Sequence, residues 1–148
     1  SKIIQLVNQE RKSRGLSELK LNPLLYFAAK NKAHDMLQKD YFEHYTPDGK
    51  SPWDYIHSAG YNYKKAGENL AMDFATSEGI HKAWMASASH RDNILKPDYK
   101  DIAVATIKGE FKGRQTTMVV QLFGQPMNKD EFNSQSLIIA IRNFILGF

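Results

Sequence analysis

Not one of the 148 residues is a cysteine, and that decides what can hold the chain together. Disulfides, thiolate metal centres and cysteine nucleophiles are all excluded, so the fold must rest on a packed apolar core. At this length one domain is expected to bury roughly 70% of the surface its unfolded chain exposes. Hydrophobic residues make up 42% and charged residues 24%, the balance of a globular chain rather than a disordered one. The net charge is +4, but bases and acids are interleaved, as with Lys30, Lys32 and Lys39 beside Asp35 and Asp40. A nucleic-acid partner would need a concentrated basic stripe, so none is expected. No apolar run reaches the ~20 residues of a bilayer span, so no transmembrane segment is expected within this chain. No oligomeric state is assigned.

Local signals set the order of elements. Ile3, Leu6 and Val7 recur at helical spacing up to a stop at Gly15. Asn22-Pro23 supplies a cap and a first-turn proline for a long helix through Leu24, Leu25, Ala28, Ala29, Ala33, Met36 and Leu37. Thr46-Pro47-Asp48-Gly49 is a turn, and Ser51-Pro52 opens a short helix that stops near Gly60. Ala66 to Met72 reads as a short strand or extended link. Thr76 then caps a helix expected to end at the polar cluster Ser89-His90-Arg91-Asp92-Asn93. Asp101 to Lys108 and Gln115 to Phe123 form a hairpin turning over residues 108–114. This order predicts an α/β layered domain with an antiparallel or mixed sheet. It ends at residue 126. Residues 127–148 form a separate tail, expected to be an amphipathic helix with Leu137, Ile138, Ile141, Phe144, Ile145 and Phe148 on one face. Docking on the domain is its simplest role; a partner-binding helix or the stub of a membrane anchor are the others.

Three polar stretches could carry chemistry: residues 42–49 with His44, residues 67–69 with Glu68, and residues 87–93 with His90. Two imidazoles and a carboxylate suit Zn²⁺ with water in the remaining positions, and equally suit a hydrogen-bonded polar cluster. Spacing does not choose between them, because no His-Glu-x-x-His pattern is present. His34, His57 and His81 read as ordinary helix residues, Trp53 and Trp84 as core, and Asn69, Arg91 and Asn93 as structural. Ser87 and Ser89 lie near His90, but no Gly-x-Ser-x-Gly elbow supports a serine hydrolase.

The run His44-Tyr45-Thr46-Pro47-Asp48-Gly49, then Ser51-Pro52, Ala59-Gly60-Tyr61 and Gly67-Glu68-Asn69-Leu70-Ala71, resembles the bacterial branch of the CAP superfamily. These SCP domains also include cysteine-rich secretory proteins, antigen 5 and pathogenesis-related 1 proteins. The likeness continues through Trp84-Met85-x-Ser87-x-x-His90-Arg91-x-Asn93-Ile94-Leu95 to Gln121-Leu122-Phe123-Gly124. It covers residues 1–126.

The resemblance implies a three-layer α-β-α sandwich, with a mixed, mostly antiparallel central sheet and a cleft that holds a divalent metal, often zinc, in relatives. His44, Glu68 and His90 fall on the matching positions and are the candidate metal ligands, and candidate catalytic groups if the protein is an enzyme. Two members of the eukaryotic four-residue cluster are missing. The strand Gln115 to Val120 holds no His, and Met85, Ala86 and Ser87 stand where a second acid would be. The resemblance also places the protein outside the cell or in its envelope, and Ser1, with no Met and no leader, reads as a processed or truncated start whose signal or anchor is gone.

The function adopted on these grounds is a non-enzymatic binding module for a lipid, sterol, glycan or protein partner. The alternative is a zinc-dependent, peptidase-like hydrolase using His44, His90 and Glu68. A third reading is a structural envelope protein whose cleft is vestigial.

Overall fold

The computed structural model describes residues 1–147. In chain order the elements are α1 (Lys2–Ser13), β1 (Lys20–Leu21), α2 (Pro23–Lys39), α3 (Pro52–Ser58) and β2 (Tyr63–Met72). There follow α4 (Ser77–Ala86), α5 (Ala88–Leu95), β3 (Asp101–Phe111), β4 (Arg114–Pro126) and α6 (Lys129–Leu146). The strands form one mixed sheet in the order β1-β3-β4-β2, with β1 parallel to β3 and the other pairings antiparallel. The expected α/β sandwich is the observed architecture.

Strand alternation separates two cores, because successive side chains leave a sheet on opposite faces. Ala103 and Ala105 of β3, with Met118, Val120 and Leu122 of β4, meet Leu25, Ala28 and Met36 of α2 and Ile56 of α3. Ile102 and Val104, with Val119 and Phe123, meet Ile3 and Val7 of α1, Ile80 and Trp84 of α4 and Ile94 of α5. Helices therefore cover both faces. The caps act as their sequences require. Asn22 Oδ1 accepts from the Leu24 and Leu25 amides at 2.9 and 3.2 Å, and Ser51 and Asp54 form a reciprocal capping box.

Three expectations need correction, and one short strand has no counterpart among them. The link at Ala66 to Met72 is the end of a ten-residue edge strand that starts at Tyr63. Its Gly, Glu, Asn and Lys residues give weak β signals, and pairing with β4 overrides them. The short parallel strand β1 has no local signature. The helix capped by Thr76 stops at Ala86: Ser87 is extended (φ −106, ψ 123), and a new helix starts beyond it. The hairpin is tighter than expected, because Lys112 and Gly113 both take positive φ and close a two-residue turn.

The tail also departs from expectation. α6 is a helix with its own capping box at Asn128 and Glu131, but none of its described residues is buried. Leu137, Ile138, Ile139, Ile141, Phe144, Ile145 and Leu146 are each at least half exposed. The docked-helix reading therefore fails, and Phe148 lies outside the described residues. An ion pair from Lys64 to Glu131 and a bond from the Met127 amide to the Asn62 carbonyl tie its start to the domain. Exposed ion pairs contribute at most about 1 kcal/mol. Deleting residues 129–148 is accordingly expected to leave the domain's thermal midpoint almost unchanged while raising its solubility. A drop of many degrees in calorimetry would show that the helix packs on the body after all. No helix among the described residues is long and apolar enough to cross a membrane.

Candidate functional site

The site forms at the free edge of β2, where adjacent residues serve opposite layers. Glu68 leaves the sheet on the α2/α3 side, and its Oε1 lies 2.7 Å from His44 Nδ1 in the loop between those helices. Asn69 leaves on the other side. There its amide nitrogen donates to Gln121 Oε1 at 2.9 Å and to the His90 carbonyl at 3.2 Å. Asn93 of α5 joins the two residues, donating to Asn69 Oδ1 at 2.9 Å and to the Glu68 carbonyl at 3.2 Å. The extended Ser87 turns the chain so that α5 can present Asn93 to this edge.

A cleft of about 380 Å³ opens over the edge, lined by His44, Tyr45, Trp53, Glu68 and Asn93, among others. His44 is exposed, whereas Glu68 is 5% exposed and lies at the cleft floor. Its second oxygen, Oε2, is buried without a hydrogen-bond partner among the described residues. A larger hollow of about 540 Å³ lies beside Asp48, Asp54 and Tyr55. Its acids are already engaged, Asp48 with Thr46 and Asp54 with the Ser51 cap.

A third charge sits beneath the pair. Lys32 is fully buried in α2, donates to the His44 carbonyl, and lies 5.2 and 5.6 Å from the Tyr41 and Tyr55 ring centres. Burial lowers its pKa, while the carboxylates of Glu68, Asp35 and Glu43 act the other way. Burial raises the pKa of Glu68, against the pull of His44 and Lys32. The bond to Glu68 raises that of His44 above the ordinary imidazole value, desolvation opposing it.

The sign of the pH dependence follows. A raised imidazole pKa stabilises the fold fully below the unfolded value of about 6.5, and the contribution is lost as pH rises through the folded value. NMR titration of the His44 ring is expected to give a midpoint above that of a free imidazole, and Glu68→Gln should lower it. An unshifted midpoint in the wild type would show that the pair does not form in solution.

His90 is placed differently. Its Nδ1 lies 2.9 Å from Ser87 Oγ, three residues back at the N-cap of α5, so this Ser–His contact is a local side-chain bond across the first turn of that helix. Burial lowers the His90 pKa, and the charge of His44 lowers it further. His44 and Glu68 are thus in direct contact, while His90 approaches from the opposite layer without bonding to either. Among the described residues no group of three His, Asp or Glu side chains is placed to hold a metal ion. The three-ligand zinc set expected from the resemblance is not assembled here. Glu68 sits on His44 Nδ1, which leaves Nε2 of that ring as its open donor.

Sequence reasoning misses two lining residues and one support. It assigns Trp53 to the core; the residue is only partly buried and lines the cleft, because it starts a helix whose inner face is carried by Pro52 and Ile56. Tyr45 is 57% exposed beside it. Lys32 carries a signal, since it follows Leu25, Ala28 and Ala29 at helical spacing and so falls on the buried face. Of the other histidines, His81 is buried with its Nε2 3.6 Å from Glu10, and the His57 ring lies 5.1 Å from that of Tyr63, tilted by 36°.

The model of the cysteine-rich secretory protein family, CAP, matches residues 4–123, and the chain belongs to that family. It is similar to the uncharacterized protein YkwD of Bacillus subtilis, 42% identical over 107 residues, which are 72% of this chain and 42% of that protein. The chain therefore spans less than half of that relative's length. Among solved structures it resembles an extracellular SCP-domain protein of Bacillus anthracis at 23% identity (TM-score 0.73), with 84% of this chain and 39% of the other covered. An outer surface protein of Borrelia burgdorferi is as similar, at 22% identity (TM-score 0.73), with 84% and 90% covered. These two likenesses concern the fold.

Proposed function

We propose that the chain is a ligand-binding module acting on the outer side of the cell, with the His44–Glu68 pair at the centre of its recognition cleft. One observation carries the reading: an exposed imidazole is held by a buried carboxylate at the floor of an open cleft that has polar and aromatic walls. Perturbed titratable groups in a concave site are the usual mark of a functional centre. The outer location draws support from the extracellular and outer-surface descriptions of the two solved relatives.

Zinc enters as an optional occupant. His44 could offer Nε2 while Nδ1 stays on Glu68, a single protein ligand where a resident zinc uses three or four. The peptidase-like alternative needs three protein ligands around the metal, and no such group stands together among the described residues.

The test is a binding screen read at the cleft itself. Amide and imidazole NMR shifts are followed while zinc chloride, a short-chain phosphatidylcholine, a soluble sterol sulfate, a neutral peptide and a neutral oligosaccharide are added in turn. At least one probe is expected to move His44 and Trp53 saturably, with affinity falling about tenfold in Glu68→Gln. If every binding probe acts elsewhere and ignores Glu68→Gln, the cleft is not the recognition site.

A further inference from the structure

The unpartnered oxygen on Glu68 narrows what can occupy the cleft. Resting on the reading of this cleft as a recognition site, we propose that its ligand is a neutral, polyhydroxylated ring, the sugar of a glycan chain. Four observations lead there.

First, Glu68 Oε2 is buried and without a partner among the described residues, and a buried acceptor left unpaired is unfavourable. A ligand that supplies a hydrogen-bond donor removes that cost. An alkyl chain cannot, and a sterol has a single hydroxyl on an otherwise apolar body. Laid over the Glu68–His44 pair, it would also strip water from two polar groups without replacing their bonds.

Second, the charges of the site are already matched. Glu68 is the one carboxylate among the lining residues; it meets His44 at 2.7 Å and feels the charge of Lys32, so a cationic ligand finds no free anion in that lining. An anionic ligand would meet the Glu68 carboxylate. The donor should therefore come from a neutral group, a hydroxyl or an amide.

Third, the walls are flat. Trp53 and Tyr45 are both partly exposed on the cleft. The C–H face of a pyranose is apolar with slightly positive hydrogens, and it lies well on the electron-rich face of an aromatic ring. Its rim of hydroxyls then turns towards Glu68, His44 and Asn93.

Fourth, the route by which an extended peptide would join this edge is closed. Peptides commonly add to a free strand by backbone pairing. Here the carbonyls of Glu68 and Leu70, on the same side of β2, already accept from Asn93 Nδ2 at 3.2 Å and Trp84 Nε1 at 2.9 Å.

The experiment uses the chain as it stands, with chitotetraose and cellotetraose as glycan probes, tetra-alanine as the peptide probe and phosphatidylcholine micelles as the apolar one. One or both oligosaccharides should bind saturably at millimolar concentration or below, quenching Trp53 fluorescence and shifting Tyr45 and Asn93. Affinity should fall about tenfold in Tyr45→Ala and in Glu68→Gln. Tyr45 is exposed, so its loss does not threaten folding. Slow release of new reducing ends from the probe would support the proposal too, since cleavage requires the same seat. Binding of tetra-alanine or micelles at these residues, with no response to either sugar, overturns the glycan assignment and leaves the recognition cleft standing. Sugar binding that is equal in wild type, Tyr45→Ala and Glu68→Gln overturns it as well, by placing the sugar elsewhere.

Discussion

Gly124→Ala is expected to cost about 3 kcal/mol or more, one of the two largest losses for a single substitution in this chain. Gly124 pairs with Asp101 across β3 and with Ala66 across β2, so its backbone is held from both sides. The Tyr61 ring lies flat against it. A Cβ there would fall 2.5 Å from Tyr61 Cε1 and 2.6 Å from Cζ. The ring has no room to retreat, because Tyr61 is 3% exposed and its hydroxyl donates to Asp101 Oδ2 at 2.7 Å. The glycine is needed for close approach and not for its conformation, since its φ is an ordinary strand value. Urea denaturation should show the midpoint falling with little change in slope. The double variant Gly124→Ala, Tyr61→Leu should recover part of the loss. A single variant within about 1 kcal/mol of wild type would mean that Tyr61 does not occupy this place.

The second large effect is expected at Arg11. Its side chain is fully buried, yet it forms no ion pair with a carboxylate among the described residues. Its Nε donates to the Ser17 carbonyl at 2.8 Å, and its Nη1 to the Ile94 and Lys96 carbonyls at 2.9 and 2.8 Å. Two of those carbonyls end α5, where the helix dipole is negative and a cation is favoured. Burial depresses the guanidinium pKa but leaves it charged at any ordinary pH. Arg11→Met keeps most of the volume and strands three carbonyls, a loss of about 3 kcal/mol. Arg11→Lys should rescue little, since one ammonium cannot span both the α1 turn and the end of α5. Equal stability of the Lys variant and wild type would show that charge alone, without the planar fork, is enough. Because α5 carries His90 and Asn93, Arg11→Met should also broaden the NMR signals of both.

How much of this is legible in the sequence depends on whether the signal is local. Asn22-Pro23, Ser51-Pro52 and Thr76 each predict a helix start, because a cap is satisfied by amides two or three residues away. The alternation of β3 predicts its two faces for the same reason. β2 reads too short because its strand character comes from β4, more than forty residues later. The break at Ser87 is hidden, since nothing in Trp84 to Ser89 forbids a continuous helix; the second layer imposes it. Contact between His44 and Glu68 is expected only from family likeness, their separation in sequence carrying no geometry. The α6 surface is the opposite case. Its apolar residues are easy to read, and of the three roles they suggest it is the simplest, docking on this domain, that the helix does not show among the described residues.

Glu68 and Asn69 are neighbours in the chain yet answer to different cores, one bonded to the α2/α3 layer and the other to the α4/α5 layer. The cleft is therefore a seam, and loosening either side of the sandwich would be felt there first. A melt followed at His44 monitors one half of the molecule and a melt followed at His90 the other, so superimposed curves would mean that both halves come apart in a single step.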